Sequence, residues 1–386
     1  MPVAIPSPPL SAAAAAHSAR LVADIAAAID AAGGWIGFDR FMDMALYQPG
    51  LGYYHGGAIK FGADGDFVTA PEISPLFGRT LARQVAEVLA ETGGDILELG
   101  PGTGRLAASV LCELDRLGVA PARYQLLDLS AELRARQRDR IETAAPGLVH
   151  CAHWLDALPD RIHGVVIANE VFDALPVQLV AWRDDGVFER GVIRNGGGFA
   201  WDDRPIGDPR LAALVATLPV QAPYLSEINL RAQVLVVALA QRLVAGALIC
   251  IDYGFGRAEF FHPQRQSGTL MCHYRHMAHD DPFHLPGLQD ITAHVDFTAL
   301  VDAGVGCGLR LSGYATQARF LIDLGITDLL AETDAADAVR YAPQVAQVHT
   351  LLSPAEMGEL FKVLVLTRGI DRNLSGFASG DLSRML

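Results

Sequence analysis

Residues 95–104, Asp-Ile-Leu-Glu-Leu-Gly-Pro-Gly-Thr-Gly, constrain the fold of this chain more than any other segment. An apolar run ends there at a turn with glycines at 100, 102 and 104, and a helical pattern starts at once with Arg105. A strand, a glycine-rich turn and a helix in this order bring backbone N–H groups close to a ligand. The segment therefore predicts a ligand site, although a tight turn without a ligand has the same pattern.

The spacing of the glycines distinguishes two classes of cofactor. The dinucleotide fingerprint G-x-G-x-x-G needs a glycine at position 105, where this chain has Arg105. With Glu98 just before the turn, the pattern is E-x-G-x-G-x-G, which is similar to that of Rossmann-like methyltransferases that use S-adenosylmethionine (SAM). An NAD-dependent oxidoreductase is therefore disfavoured.

Alternating apolar runs and helical patterns predict an α/β fold. The runs are too continuous for a sheet with one solvated face, so a parallel sheet covered on both faces is expected. Parallel strands are predicted at 95–100, 124–129, 164–169 and 247–253, helices at 17–32, 104–117, 130–142 and 226–244, a hairpin at 178–201, and a closing antiparallel pair at 308–315 and 361–368. This order predicts a class I (Rossmann-like) seven-stranded sheet with an N-terminal helical cap and inserted segments.

The predicted domains follow the chain in order. Residues 1–80 are expected to form the helical cap, 81–200 the Rossmann-like core, 201–300 the inserted substrate-binding segments around core strand 247–253, and 301–386 the C-terminal helices and closing strands.

Composition limits which kinds of molecule the protein can bind and in which compartment it is expected. The formal net charge of −14 argues against binding of nucleic acid, which depends on Lys and Arg neutralising phosphates. The five cysteines are scattered without a C-x-x-C pair, so no disulfide framework and no metal site are predicted. No uninterrupted apolar run reaches the ~18–20 residues of a membrane span, and the first sixteen residues lack the basic start of a signal peptide. A bacterial cytoplasmic location without membrane insertion is therefore expected.

Polar side chains follow two of the predicted strands. Asp128 lies 24 residues after Gly104, where an acid can accept hydrogen bonds from ribose hydroxyls or can simply cap the helix at Ser130. Asn169, Glu170 and Asp173 cluster directly after strand 164–169. Because burying such groups costs free energy unless they have partners, a functional site is favoured over an N-cap at Asp173.

Three further segments carry polar residues that could line a pocket. Glu227 lies in Tyr224–Asn229, which is predicted to open a helix with Ser226 as an alternative capping residue. Asp252 lies at the end of strand 247–253, and His294 lies in a polar and apolar mixture from Asp290 to Phe297 that suggests a buried network. The histidines of the 254–290 loop are interpreted as hydrogen-bonding residues.

Taken together, these motifs resemble the MidA family of SAM-dependent methyltransferases over about residues 20–368. The family includes the mitochondrial protein arginine methyltransferase that assists assembly of respiratory complex I. The residues that carry the resemblance are Ala45–Tyr47 with Gly52–Tyr54, Thr69–Gly78, Glu98–Gly104, Asn169–Pro176, Tyr224–Asn229, Asp252–Gly254, Asp290–Phe297 and Gln317–Leu321. One departure is Asp128, at a position where the family often has Glu.

The resemblance implies SAM as cofactor and an arginine of a partner protein as methyl acceptor. It further implies that the substrate is a subunit of complex I and that the product is symmetric dimethylarginine. A homodimer is possible. Two alternatives remain, a methyltransferase of a small molecule and a non-catalytic assembly factor.

Segment 35–78 is expected to close over the cofactor, with Tyr53 and Tyr54 excluding water. The candidate catalytic residues are Glu170, Asp173, Glu227 and His294, and the candidate cofactor contacts are Glu98, Gly100, Gly102 and Gly104 for methionine, Asp128 with Leu129 for ribose, Trp154 or Leu155 for adenine, and Asn169.

Overall fold

The computed structural model describes residues 10–55, 69–119, 121–128 and 130–386. Within these residues the helices are α1 (Ala12–Ala31), α2 (Phe38–Tyr47), α3 (Ala70–Ile73), α4 (Pro75–Thr92), α5 (Arg105–Arg116), α6 (Ala131–Ala144), α7 (Pro209–Val215), α8 (Leu230–Arg242), α9 (Arg257–Phe260), α10 (Phe297–Gly306), α11 (Gln317–Asp323), α12 (Ile326–Ala331) and α13 (Ala338–Leu352). The strands are β1 (Ile36–Gly37), β2 (Asp95–Leu99), β3 (Tyr124–Leu127), β4 (Ala152–Leu155), β5 (Ile162–Asn169), β6 (Gln178–Arg183), β7 (Gly186–Asn195), β8 (Gly198–Pro205), β9 (Tyr224–Ile228), β10 (Leu243–Phe255), β11 (Met271–Tyr274), β12 (Met277–His279), β13 (Asp290–Thr292), β14 (Val295–Asp296), β15 (Arg310–Thr316) and β16 (Phe361–Arg368).

The chain divides into two compact units that take alternate stretches of the sequence. In its described parts, the first unit contains residues 10–55, 173–232 and 258–294, and the second unit contains 69–172, 233–257 and 295–386. The division predicted from the sequence, at residues 80, 200 and 300, follows the chain linearly, whereas each of these units is assembled from three separate stretches.

The second unit is built on the predicted methyltransferase sheet. Its strand order is β15-β16-β10-β5-β2-β3-β4, and the two-residue strand β14 pairs with the end of β10. The five strands from β4 to β10 are parallel to one another, and β16 and β15 close the sheet as an antiparallel pair. The predicted α/β fold class is therefore confirmed.

The core of the second unit explains why its strands are apolar throughout. Val165, Val166 and Ile167 are consecutive in β5, so their side chains alternate between the two faces of the sheet, and all three are fully buried. The neighbouring β10 shows the same burial at Leu248 and Ile249. Both faces of the sheet are therefore covered, as the continuous apolar runs predict.

The first unit contains two antiparallel sheets. One has the order β1-β7-β6-β9 with β8 paired to β7, and the other has the order β12-β11-β13. The predicted hairpin over 178–201 is a meander of three strands, β6 to β8, because the polar turn at Asp184-Asp185 and the glycine turn at Gly196-Gly197 each reverse the chain.

The helix predicted from residue 226 was wrong at its start. Tyr224–Ile228 is strand β9, which pairs with β6 and places Glu227 opposite Leu179. Helix α8 begins only at Leu230, and the Asn229 side chain accepts a 2.8 Å hydrogen bond from the N–H of Ala232. Asn229, and not Ser226, is therefore the capping residue, because pairing with β6 extends the chain through Ser226.

Helix α1 packs against the core of the first unit. Leu21, Ile25 and Ile29 form the predicted i, i+4, i+8 stripe and are fully buried. The His17 ring hydrogen-bonds the Leu51 carbonyl at 2.7 Å, and the Ser18 hydroxyl donates to the Pro286 carbonyl at 2.9 Å. By length and composition α1 is the described helix that could cross a membrane, and its apolar stripe is buried in the core of the first unit.

Candidate functional site

The glycine turn between β2 and α5 has the backbone shape that the sequence predicts. Gly100, Gly102 and Gly104 have φ values of 58°, 51° and 81°, in the left-handed region that favours glycine. A Cβ on Gly102 would meet no atom of the described residues within 4 Å, so these residues leave open space at the middle of the turn. Gly104 provides no side-chain cap for α5. The turn therefore has the geometry of a backbone cradle for an anionic group at the helix N-terminus.

Glu98 is a buried acid in β2, directly before this turn. Its side chain accepts a 2.7 Å hydrogen bond from the Tyr124 hydroxyl of the neighbouring strand β3. Burial raises the pKa of Glu98 to about 7, the hydrogen bond from Tyr124 opposes that rise, and the charge of Asp128 adds to it. Glu98 therefore changes protonation near neutral pH and, when ionised, favours a cationic group beside it.

Asp128 lies at the end of β3 and has both structural and ligand-binding potential. One carboxylate oxygen accepts a 2.8 Å hydrogen bond from the Ser130 N–H, and the other accepts a 2.7 Å hydrogen bond from the Gln137 side-chain amide. Ser130 in turn caps α6 by accepting from the N–H of Leu133. The carboxylate is thus held in a fixed orientation by donors to both of its oxygens. Leu129, the next residue, lies outside the described residues.

Trp154 and Leu155 lie in β4, which pairs in register with β3 so that Leu127 faces Leu155. The Trp154 indole N–H donates a 2.8 Å hydrogen bond to the Gln137 side-chain oxygen, and the Arg138 guanidinium lies 4.2 Å from the centre of the indole ring. The Leu155 carbonyl accepts a 2.7 Å hydrogen bond from Arg134. Both residues of the predicted adenine pair are therefore held at the edge of the sheet by side chains of α6.

Segment 69–74 contacts the glycine turn through Glu72. Its carboxylate accepts a hydrogen bond from the Thr103 hydroxyl and forms a 3.0 Å ion pair with Arg105, which also donates to the Glu72 carbonyl. Arg105 is the residue that replaces the third glycine of a dinucleotide fingerprint, and this contact gives it a structural role. Glu72 lies in the motif that carried the family resemblance, but sequence reasoning gave its side chain no role.

Asn169 and Glu170 end β5 in an unusual conformation. Glu170 has a φ of 52°, which is uncommon outside glycine, and its N–H donates a 2.8 Å hydrogen bond to the Ile251 carbonyl. Its carboxylate accepts 3.2 Å hydrogen bonds from the Asn169 amide and from the N–H of Ala70. Because β5 and β2 are neighbours, Glu170 and the glycine turn lie at the same edge of the sheet.

Asp252 supports the turn that contains Glu170. It is fully buried, and one of its oxygens accepts hydrogen bonds of 3.2 and 2.9 Å from the N–H groups of Val171 and Phe172. The other oxygen accepts from the N–H of Tyr253 at 2.9 Å. The sequence placed Asp252 among residues that could line a pocket, and in the structure these hydrogen bonds hold the backbone that follows Glu170.

Asp173 belongs to the first unit, where it lies near two tyrosines. Asp173 is buried, and its carbonyl accepts a 3.0 Å hydrogen bond from Ala293. Tyr54 donates a 2.9 Å hydrogen bond to the buried carboxylate of Asp290, and the stacked ring of Tyr47 lies 5.3 Å away. Burial, followed by the charges of Asp290 and Asp173, raises the pKa of Tyr47 far above its ordinary value, and burial and Asp290 do the same for Tyr54. Both phenols therefore remain hydrogen-bond donors.

Glu227 and His294 come together in the first unit through Thr269. The Glu227 carboxylate accepts 2.9 Å hydrogen bonds from the N–H groups of Thr269 and Leu270 and a 3.1 Å hydrogen bond from the Thr269 hydroxyl. That hydroxyl also accepts a 3.0 Å hydrogen bond from the N–H of His294. Burial raises the pKa of Glu227, and the donors of Thr269 and Leu270 oppose the rise. In these contacts Glu227 orders a loop, and its catalytic role stays a prediction.

Sequence reasoning missed Gln137. It lies in the middle of α6, where polar residues surround it in sequence, and it belongs to no motif. The side chain is nevertheless fully buried against the glycine turn. The available signal was slight, because the helical pattern of α6 offers few apolar residues to form its buried face.

Comparison with known proteins identifies the family of this chain. The model of a family described as "Putative S-adenosyl-L-methionine-dependent methyltransferase" matches residues 80–315. This chain belongs to that family. The match includes the glycine turn, the Asp128–Gln137 pair and the turn at Glu170, so this methyltransferase carries the described site within the family's own segment.

Two groups of similar proteins extend the comparison. A structure described as a "likely methyl transferase from Burkholderia thailandensis bound to S-adenosyl-homocysteine" is 51% identical, covers 99% of this chain and 100% of its own, and has a TM-score of 0.96. Proteins named "Protein arginine methyltransferase NDUFAF7, mitochondrial" are similar at lower identity. The zebrafish protein is 29% identical over 85% of this chain and 82% of its own length, and the human protein is 27% identical over 84% and 78%.

The cofactor of this methyltransferase is S-adenosyl-L-methionine, and the described residues fit it. The open space at Gly102 can admit a ligand, and Glu98 provides a buried acid beside the turn. Asp128 provides a fixed carboxylate at the end of the neighbouring strand. An ammonium, a carboxylate and a ribose each have a chemically suitable partner in this arrangement.

Proposed function

We propose that this methyltransferase acts on an arginine of a protein substrate, and that a respiratory complex I type subunit is the acceptor. The observation that carries the proposal is the similarity, over about five-sixths of the chain, to relatives named protein arginine methyltransferases. Dimethylation of one arginine in the symmetric form is the expected product. The formal net charge of −14 favours a cationic acceptor segment.

The cofactor contacts proposed for the second unit follow the chain from β2 to β5. Glu98 and the glycine turn hold the methionine part, Asp128 and Leu129 the ribose, Trp154 or Leu155 the adenine, and Asn169 lies beside them. When bound, SAM supplies a methyl group on a positively charged sulfur that is already a good leaving group. The residues of the protein therefore need to orient the acceptor and to exclude water.

Glu170 is the first proposed contact for the acceptor. An arginine guanidinium is protonated and delocalised, so it is a weak nucleophile and needs a carboxylate to orient it. The carboxylate of Glu170 is held by donors from Asn169 and Ala70. A carboxylate fixed in this way can orient a guanidinium through a charge-assisted hydrogen bond at little further cost in side-chain entropy.

The remaining candidates belong to the first unit. Asp173 follows Glu170 by three residues and is proposed as a second carboxylate for the guanidinium. Glu227 and His294 are proposed to accept and pass on the proton that the arginine must lose. The Thr269 hydroxyl contacts both residues, through the Glu227 carboxylate and the backbone N–H of His294. Tyr53 and Tyr54 are proposed to exclude water.

The test combines identification of the product with two variants. Purified protein is incubated with methyl-labelled SAM and the protein fraction of a strain that lacks the gene, and labelled amino acids are resolved after hydrolysis. Label in symmetric dimethylarginine is expected, and it should fall at least ~100-fold in Glu170→Gln and Asp173→Asn if each carboxylate orients the acceptor. Glu142→Gln, on the exposed side of α6, is the matched control.

Two results would contradict the proposal. Label confined to small molecules would favour the small-molecule alternative. Binding of a client protein without any transfer of label would favour a non-catalytic assembly factor. If both carboxylate variants transferred methyl groups at the wild-type rate, Glu170 and Asp173 would not be acceptor contacts. The proposal that the acceptor is a protein arginine would still stand.

A further inference from the structure

Gln137 connects three separate parts of the proposed cofactor site. Its side-chain amide donates a 2.9 Å hydrogen bond to the Gly102 carbonyl and a 2.7 Å hydrogen bond to the Asp128 carboxylate. Its side-chain oxygen accepts a 2.8 Å hydrogen bond from the Trp154 indole. These three bonds make Gln137 the common partner of the glycine turn, the acid at the end of β3 and the aromatic residue of β4. The three sites lie far apart in sequence.

The hydrogen bonds of Gln137 fix the orientation of its amide group. Both amide hydrogens point at acceptors and the oxygen faces a donor, so a flipped amide would place its oxygen against two other oxygens. The side chain has no exposed surface, and a Cβ on Gly104 would lie 2.9 Å from the Cα of Gln137. The absence of a side chain at Gly104 therefore lets α6 approach the turn closely enough for these bonds.

We infer that Gln137 is a positioning residue for SAM, which couples the carboxylate of Asp128 to the glycine turn and to Trp154. The inference rests on the cofactor contacts proposed above. Gln137 itself uses both amide hydrogens within the protein, so it acts on the ligand through Asp128 and Trp154. A change at Asp128 should consequently have a different effect on ligand binding when Gln137 is absent.

Gln84 provides a matched control for a purely structural glutamine. It is also fully buried in the second unit, where it donates a 2.8 Å hydrogen bond to Glu87 and accepts a 3.0 Å hydrogen bond from the Gly376 N–H. Gln137→Met and Gln84→Met both remove a buried amide of the same size. If loss of a buried amide is the only effect, both variants should lose stability, and neither should change the ligand affinity.

The experiment is calorimetric titration with S-adenosyl-homocysteine, which needs no methyl acceptor. We expect Gln137→Met to raise Kd ~10-fold or more, because an Asp128 carboxylate that is no longer held in place loses about one hydrogen bond of ordinary strength to the ligand. Gln84→Met should leave Kd within about twofold of wild type. In a double-mutant cycle, Asp128→Asn should raise Kd clearly in the wild-type background and much less in the Gln137→Met background.

Two further variants keep the test decisive if Gln137→Met does not fold. Trp154→Phe removes the indole donor to Gln137 and keeps an aromatic ring, although a smaller one, and its effect on Kd should also shrink when combined with Asp128→Asn. Gln137→Glu keeps the acceptor for Trp154 but turns an oxygen toward the Asp128 carboxylate. Its Kd relative to wild type should therefore improve as the pH is lowered and one of the two carboxyls gains a proton.

The outcomes separate this inference from the site on which it rests. If wild type binds S-adenosyl-homocysteine and Gln137→Met binds it equally well, Gln137 is structural and the inference is wrong. The inference would also be wrong if the fold-change in Kd of the double variant equalled the product of the fold-changes of Asp128→Asn and Gln137→Met. If wild type does not bind the ligand at all, the assigned cofactor contacts fail together with the inference.

Discussion

The Tyr124 hydroxyl donates a 2.7 Å hydrogen bond to the Glu98 carboxylate between two buried neighbouring strands. Tyr124 remains a donor because burial, followed by the charge of Glu98, raises its pKa well above the ordinary value. Burial also raises the pKa of Glu98 from 4.5 to about 7. The acid that precedes the glycine turn is therefore one whose charge depends on pH in the physiological range.

This pKa predicts opposite effects of pH on stability and on ligand binding. Folded Glu98 holds its proton more tightly than in the unfolded chain, so its contribution to stability is full below pH 4.5 and is lost as the pH rises through about 7. A ligand ammonium favours the ionised carboxylate, so S-adenosyl-homocysteine should bind more tightly as the pH rises through the same range. Urea unfolding and titration between pH 5 and 8 measure both effects.

Glu98→Gln should remove the part of both dependences that Glu98 contributes, while every other titratable group is unchanged. The variant is also expected to bind the ligand more weakly at pH 8 because it has no negative charge. Equal pH slopes in wild type and Glu98→Gln, for both stability and Kd, would show that Glu98 is not the titrating group.

Gly102→Ala should separate ligand binding from folding. The new Cβ would meet no atom within 4 Å in the part of the chain that the structure describes, so the expected cost is the strain of a φ of 51°, about 1–2 kcal/mol for a side chain in the left-handed region. If the open space holds the cofactor, Kd for S-adenosyl-homocysteine should rise far more than that cost alone implies.

Gly118→Ala is the matched control for this change. Gly118 lies beyond the other end of α5, has a φ of 70° and likewise has open space around its Cβ position. Thermal unfolding should show similar losses of stability in the two variants, with normal ligand affinity only in Gly118→Ala. Normal affinity in Gly102→Ala would mean that the ligand does not approach this part of the turn.

Asp252→Asn should lower both stability and methyl transfer, because Asp252 holds the backbone on which Glu170 rests. Replacing one oxygen by an amide leaves a buried N–H of Val171, Phe172 or Tyr253 without its acceptor, at a cost of about 1–3 kcal/mol. Chemical denaturation measures this loss. The methylation rate of the folded protein should fall further, since Glu170 has a φ of 52° that depends on this support.

Asp323→Asn controls for loss of a carboxylate that accepts backbone hydrogen bonds. Asp323 accepts from the N–H and hydroxyl of Ser379 at an exposed site, so little change is expected in either measurement. A full methylation rate in folded Asp252→Asn would show that the Glu170 turn keeps its conformation without Asp252.

Local sequence patterns predicted much of the second unit, including four of its parallel strands, the closing antiparallel pair and the glycine-rich turn. They also predicted the stripe of α1 at Leu21, Ile25 and Ile29. The same reasoning failed at Tyr224–Ile228, where a helical assignment was wrong because pairing with β6 extends the chain. A residue's preference within its own segment carries no information about a partner strand.

The sequence by itself determined the βα units and the edge of the sheet at which the polar residues gather, because strand periodicity, glycine conformation and strand-end position are local properties. Only the tertiary structure decided what each polar side chain contacts. Glu72 meets Arg105, Gln137 joins Gly102 to Asp128, and Asp252 receives the N–H groups after Glu170. These are hydrogen bonds between segments distant along the chain, and their geometry exists only once the strands and helices have packed.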